Sequence, residues 1–479
     1  VSMQTRAGRR GEPQSAAAWL RGAADRFAAA SPARFAILVF SSLIILLATV
    51  LVLPISSASG EATPLADALF TAVSAICVTG LTTVDMATHW SAFGNGAILL
   101  GLQVGGIGVL TLASILGLIV SRKLGLRQRL IAASDTNPSR IHVGPIAESQ
   151  AVRLGEVGGL LATVALSALV IEVLLSFVII PRLLVEGFDP WTATWQGFYF
   201  AASAFTNTGF VPTVGGMEQF AGDTWMLAAI AFGVFLGSLG FPVIFAVLRK
   251  VRAGARLPMH ARLTLLTTVL LIILGAIATT ALEWNNPATL GDRDAISRPL
   301  TATFLSVMTR SGGFSTIDIG AMNGSTQLTF DMLMFVGGGS ASTAGGIKVT
   351  TLAVLFLAAL AEARGDNDMH AFERRIPGDV LRLSVAITLW GATIVAASSI
   401  AILQITKAPL DMVLFDVISA FATCGLSTGL TETLPVSGKY ILAATMWAGR
   451  VGTVTLAAAL AASQRRHLFT RPEERPIVG

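Results

Sequence analysis

Ala75-Ile76-Cys77-Val78-Thr79-Gly80-Leu81-Thr82 ends a short apolar stretch on a glycine, and the chain repeats that figure three more times. The copies are Ala204-Phe205-Thr206-Asn207-Thr208-Gly209-Phe210, Met308-Thr309-Arg310-Ser311-Gly312-Gly313-Phe314-Ser315 and Phe421-Ala422-Thr423-Cys424-Gly425-Leu426-Ser427-Thr428. Each is bracketed by longer apolar runs. The pattern predicts four copies of helix, half-helix plus loop, helix. Four glycine-rich loops around one axis can turn backbone carbonyls inward and replace the water shell of a cation.

Composition supports a membrane setting. With 53% hydrophobic and 13% charged residues and a mean hydropathy of +0.71, the 479-residue chain has too little polar surface for a soluble globule. Apolar runs at 35–54, 93–121, 155–181, 224–248, 262–282, 327–361, 380–404 and 440–463 predict eight spans. The first is charge-free from Ala36 to Leu53, too long for a signal-peptide core. Stretches near 65–76, 194–206, 298–309 and 411–422 are too short to cross a core of about 30 Å. They read as re-entrant pore helices, tolerated at membrane depth where they line a watery path.

The expected fold is therefore an all-α polytopic membrane protein, with eight transmembrane helices and four re-entrant pore helices around a central pore. Its units are a cytoplasmic arm at 1–34, repeat one at 35–121, a linker at 122–154 and repeat two at 155–250. A linker at 251–261, repeat three at 262–362, a linker at 363–379, repeat four at 380–463 and a tail at 464–479 follow.

Charge bias orients this arrangement. If both termini are cytoplasmic, the inward segments carry 25 of the 33 lysines and arginines. The outer side holds Arg182, Arg293, Arg298, Arg310, Lys407 and Lys439, and Lys348 and Arg450 fall inside apolar helices. The positive-inside rule then puts all four glycine loops near the outer face. The net charge of +5 is explained by this bias, so no nucleic-acid partner is expected.

Other chemistry is sparse. Cys77 and Cys424 lie in different loops, where a disulfide would distort the path, and both read as free thiols. The five histidines are scattered without ligand spacing, so no zinc site is expected. No nucleophile motif, phosphate loop or paired intramembrane carboxylates appear, which argues against an enzyme.

The second long run of each repeat carries a further motif. Its versions are Gly105-Gly106-Ile107-Gly108, Gly237-Ser238-Leu239-Gly240, Gly345-Gly346-Ile347-Lys348 and Gly449-Arg450-Val451-Gly452. Close helix packing explains most of these glycines. Repeat three, however, has extra residues in Gly337-Gly338-Gly339-Ser340-Ala341-Ser342-Thr343-Ala344-Gly345-Gly346, which cannot propagate a stable helix. One helix is expected to break, and to break here, placing this loop in the path beneath the glycine ring. Arg450 replaces a glycine or serine too deep to snorkel easily, so it should face the vestibule or a partner group.

The loops at 77–81 and 309–314, the segment Ser342-Thr343-Ala344-Gly345-Gly346-Ile347-Lys348-Val349-Thr350-Thr351 and Gly449-Arg450-Val451-Gly452 resemble the Trk/Ktr/HKT superfamily of cation transporters. The resemblance covers 35–463 and is nearest to the KtrB-type membrane subunits of bacterial Ktr potassium uptake systems, because a single helix precedes the first pore helix. It implies a homodimer in the bacterial inner membrane, with one pore per subunit, seated on a cytosolic octameric ring of KtrA-type nucleotide-binding subunits. No nucleotide is expected on this chain. Gly312 stands where the family usually has alanine, and Thr423-Cys424 departs from its fourth loop.

The mechanism implied is a potassium ion coordinated by backbone carbonyls of Cys77, Val78, Thr79 and Gly80, of Thr206, Asn207, Thr208 and Gly209, of Arg310, Ser311, Gly312 and Gly313, and of Ala422, Thr423, Cys424 and Gly425. The 337–346 loop would obstruct the path below, with Arg450 and Lys348 supplying gate electrostatics. A sodium-selective or poorly selective transporter of the same fold is the alternative, and sodium dependence is compatible with either. An alternating-access carrier would need inverted repeats and broken helices in corresponding halves.

Overall fold

The computed structural model describes residues 32–123, 154–366 and 368–452. Most of the arm at 1–34 and of the linker at 122–154, the end of repeat four and the whole tail lie outside the described residues.

Four short helices occupy Leu65–Ile76, Pro190–Phe205, Ser297–Met308 and Leu410–Ala422. The second starts earlier than 194 because Asp189 caps it, accepting from the Trp191 and Thr192 amides at 3.1 and 3.2 Å, with Pro190 pre-set for the first turn. A hydrogen bond from the Thr192 side chain, and then those from the amides, hold the exposed Asp189 carboxyl below the usual range. Each short helix is preceded by a longer outer helix: Pro32–Val52, Leu154–Val185, Met259–Glu283 and Gly378–Thr406. Each is followed by an inner helix, beginning at Ala92, Thr224, Gly324 and Val436.

Burial explains the layering. Phe70, Phe200, Phe205, Phe415 and Phe421 of the short helices are buried in one continuous core. The outer helices instead expose Leu46, Phe177, Ile277 and Ile400, each above 60%. Such an apolar belt is stable against hydrocarbon rather than water. Among the described residues, Ala162–Val185, Met259–Glu283 and Gly378–Thr406 are each long and apolar enough to cross a membrane unaided.

The structure corrects one expectation. Among the described residues two inner helices are broken, not one: besides that of repeat three, Thr224–Leu239 and Phe241–Ala253 meet at 103°. Gly240 at the bend has φ 85° and ψ 153°, a region open only to glycine, and Pro242 offers no amide to continue the ladder. In repeat four the α-helix Val436–Trp447 passes into a π-helical stretch at Ala448–Gly452, where the described residues end. Beside the helices, Met369–Ala371 and Arg374–Ile376 pair as a short antiparallel hairpin within the 363–379 linker.

Candidate ion path

The four glycine loops share an unusual backbone. Gly80, Gly209, Gly313 and Gly425 have φ of 92°, 81°, 72° and 96°, and the residues two positions earlier, Val78, Asn207, Ser311 and Thr423, have φ of 56°, 60°, 73° and 47°. Left-handed conformation costs a non-glycine residue roughly 1–2 kcal/mol. Repetition of that strain at one position in all four loops marks a functional backbone. Alternating hand swings successive carbonyls toward the same side, which an ordinary strand cannot do.

Space imposes the glycines as firmly as φ does. A Cβ on Gly80 would overlap the carbonyl oxygen of Thr208, one on Gly209 would lie 2.8 Å from that of Gly312, one on Gly313 would lie 2.8 Å from that of Cys424, and one on Gly425 would overlap that of Thr79. Each partner directly precedes the glycine of the next repeat, and the fourth contact returns to the first. The loops therefore close a ring with one sense of rotation. Gly312 is confined in a different way, since a Cβ there would meet Met308 Sδ at 2.7 Å and Val234 Cγ1 at 2.8 Å.

Side chains behind the ring fix its height. Ser74 and Ser419 Oγ accept from the Gly80 and Gly425 amides at 3.0 and 3.1 Å, and Ser203 Oγ donates to the Phe210 carbonyl at 3.0 Å. These serines occupy one position in three repeats, so alignment of the loops could have found them; repeat three has Val307 there. Buried Asp416 accepts from the amides and hydroxyls of Thr428 and Thr431 and from Ser427 Oγ at 2.6–3.0 Å, anchoring the chain that leaves loop four. Sequence reading missed this role.

Beneath the ring, the inner helix of repeat three ends at Phe335 and a new helix begins at Val349, leaving the 337–346 segment non-helical. Its backbone binds the broken end of repeat two: Gly339 N–H donates to Ser238 O at 2.7 Å and Thr343 N–H to Gly237 O at 3.3 Å. That use of free helix-end carbonyls accounts for the second break. A Cβ on Gly240 would lie 2.7 Å from Ala341 O, so Gly240→Ala is expected to displace the segment and raise basal transport, measured as ion uptake by vesicles.

Two loop side chains tie ring to segment. Asn207 Oδ1 accepts from Thr343 Oγ1 at 2.9 Å while its Nδ2 donates to Val234 O and Arg310 O at 3.3 Å. Ser311 Oγ donates to Thr423 O at 2.5 Å and accepts from Gly345 N–H at 3.3 Å. Two cations then hold three successive carbonyls of the segment. Arg450, placed by the π-turn, donates to Thr343 O, and Lys348 Nζ donates to Ala344 O at 2.5 Å and Gly345 O at 3.3 Å. Among the described residues, Arg450 Nε and Nη2 have no hydrogen-bond partner. Arg310 is buried, and its Nη2 donates to Leu333 O. Cys77 and Cys424 are buried free thiols.

Residues 14–467 match the family described as TrkH, cation transport protein. The chain is similar to Ktr system potassium uptake protein B of Bacillus subtilis, with 32% identity over 89% of this chain and 92% of that one. Its likeness to the protein of that name from Vibrio alginolyticus is 34% identity over 93% and 94%. Potassium/sodium uptake protein NtpJ of Enterococcus hirae shares 31% identity over 94% and 97%. The crystal structure of the potassium transporter TrkH from Vibrio parahaemolyticus shares the fold at 16% identity, with a TM-score of 0.65 over 89% of this chain and 83% of that one. The protein is thus a multi-pass membrane transporter and not an enzyme. It belongs to the TrkH family of cation transport proteins.

Proposed function

We propose that this chain is a potassium-selective uptake pore of a Ktr-type system, gated from within the membrane by the 337–346 segment. The observation that carries the reading is the closed ring of four left-handed glycines, each packed on the carbonyl before the next. A dehydrated ion on the ring axis is coordinated by carbonyls of 77–80, 206–209, 310–313 and 422–425, while the pore helices end there with their negative poles toward the cavity. The names of the relatives with 32% and 34% identity supply the cargo and the multisubunit setting. The proposed assembly is a homodimer in the bacterial inner membrane, termini cytoplasmic, on a KtrA-type nucleotide-binding ring. A ligand state of that ring opens the pore to the extent that it favours the displaced segment.

The test is flux into reconstituted vesicles, with potassium and sodium supplied one at a time: the reading requires faster potassium uptake. Sodium or mixed transport is the second reading, favoured by the name of the Enterococcus relative. Equal or inverted rates would select it.

Arg450 offers a test of the gate. Its bond to Thr343 O is charge-assisted and worth about 1.5–3 kcal/mol by general experience, so Arg450→Ala should raise potassium uptake by roughly tenfold or more. Arg450→Lys should be intermediate, keeping the charge but losing the fork. Correctly inserted Arg450→Ala with parental uptake rejects the gating role; loss of folding in both variants assigns Arg450 to bracing alone.

A further inference from the structure

Three of the four seams in the glycine ring join repeats that are consecutive in the chain; the seam between repeat four and repeat one does not. Gly425 meets the Thr79 carbonyl there, and no linker enforces the contact. Among the described residues, one ion pair joins two different repeats, and it lies at this seam. Lys439 Nζ, near the start of the Val436–Trp447 helix, approaches Asp67 Oδ1 to 2.5 Å across 372 positions of sequence. Both side chains are largely shielded, at 14% and 11% exposure, so solvent screens the pair weakly.

Asp67 also reaches the chain that leaves the ring. It stands in the first turn of the first short helix, where a carboxylate is favoured by the helix dipole. The same Oδ1 accepts from Thr83 Oγ1 at 2.6 Å, in the chain just past Gly80. The carboxylate thus grips the exit of loop one and the inner helix of repeat four together. That helix packs on the first short helix along the seam.

We propose that Asp67 and Lys439 are positioning residues that keep the ring closed at its chain-discontinuous seam and thereby set its discrimination between potassium and sodium. The proposal rests on the filter reading above. Loosening this seam lets the Gly425 and Thr79 backbones part, widens the ring on one side and weakens the match to a dehydrated ion, without removing any coordinating carbonyl.

The experiment compares potassium and sodium uptake, one ion at a time, by vesicles holding equal amounts of correctly inserted parent, Asp67→Asn, Lys439→Met or Lys439→Arg. The two charge-removing variants should lose about fivefold or more of the parental potassium-to-sodium ratio, while Lys439→Arg, which keeps the pair, should stay within about twofold. A parent without potassium preference overturns the filter reading itself. A selective parent whose Asp67→Asn or Lys439→Met keeps the full ratio, even with lowered thermal stability, reduces the pair to a brace and overturns the proposal. Failure of both charge-removing variants to insert, with Lys439→Arg normal, counts the same way. Lys439→Met leaves the Thr83 bond intact, so it carries the test if Asp67→Asn alone is lost.

Discussion

Deletion of residues 338–345 should raise basal potassium uptake by roughly tenfold or more while leaving insertion intact, because obstructing backbone would leave the path beneath the ring. The ends to be joined are already neighbours. Val336 and Ile347 form a parallel bridge, and Gly337 N–H donates to Ile347 O at 2.8 Å. Gly346, with φ 65°, can absorb the new turn. The deletion removes the bonds from Gly339 to Ser238, from Thr343 to Gly237 and Asn207, from Gly345 to Ser311, and from Arg450 and Lys348 to the carbonyls of residues 343–345. Ser238, Asn207 and Ser311 are buried against the segment, and the space that it vacates lets water replace the lost partners. Uptake by reconstituted vesicles gives the readout. A correctly inserted deletion variant that is no faster than its parent would show that the segment is not a gate.

What could be read from the sequence was what residue type forces. Gly80, Gly209, Gly313 and Gly425 are legible because positive φ and a neighbouring carbonyl both exclude a side chain. The glycines of 337–346 are legible because no helix survives them. Val78, Ser311 and Thr423 adopt the same hand with nothing in their side chains to announce it, whereas Asn207 is of a type that tolerates it; tertiary packing imposes the strain on the other three. The break at Gly240 was masked by an unbroken apolar run, although Gly240 and Pro242 stood together in it. Contacts between repeats were the least legible. Asp67 with Lys439, and Ser311 with Gly345, become neighbours only when the ring closes, and no spacing along the chain encodes that closure.

Gly80→Ser should reduce the potassium-to-sodium uptake ratio by about tenfold, equivalent to about 1.4 kcal/mol between the two ions. Two independent effects act at this residue. A side chain at φ 92° is strained whatever surrounds it. Its Cβ would also overlap the Thr208 carbonyl, so loop two must retreat or loop one must rotate. Either movement alters the distance between an ion and at least one coordinating oxygen, and the serine hydroxyl adds a compact donor-acceptor group beside the path. Gly312→Ala provides the contrast. Its Cβ would press first on the flexible Met308 side chain and on Val234, and Gly312 is not left-handed, so the ring backbone can stay in place and the ratio should hold within about twofold. Measured on equal amounts of correctly inserted protein, an unchanged ratio in Gly80→Ser removes the ring from the selectivity mechanism. An equal loss in both variants would instead mean that selectivity depends on packing density around the loops rather than on the glycine-to-carbonyl contacts that close them.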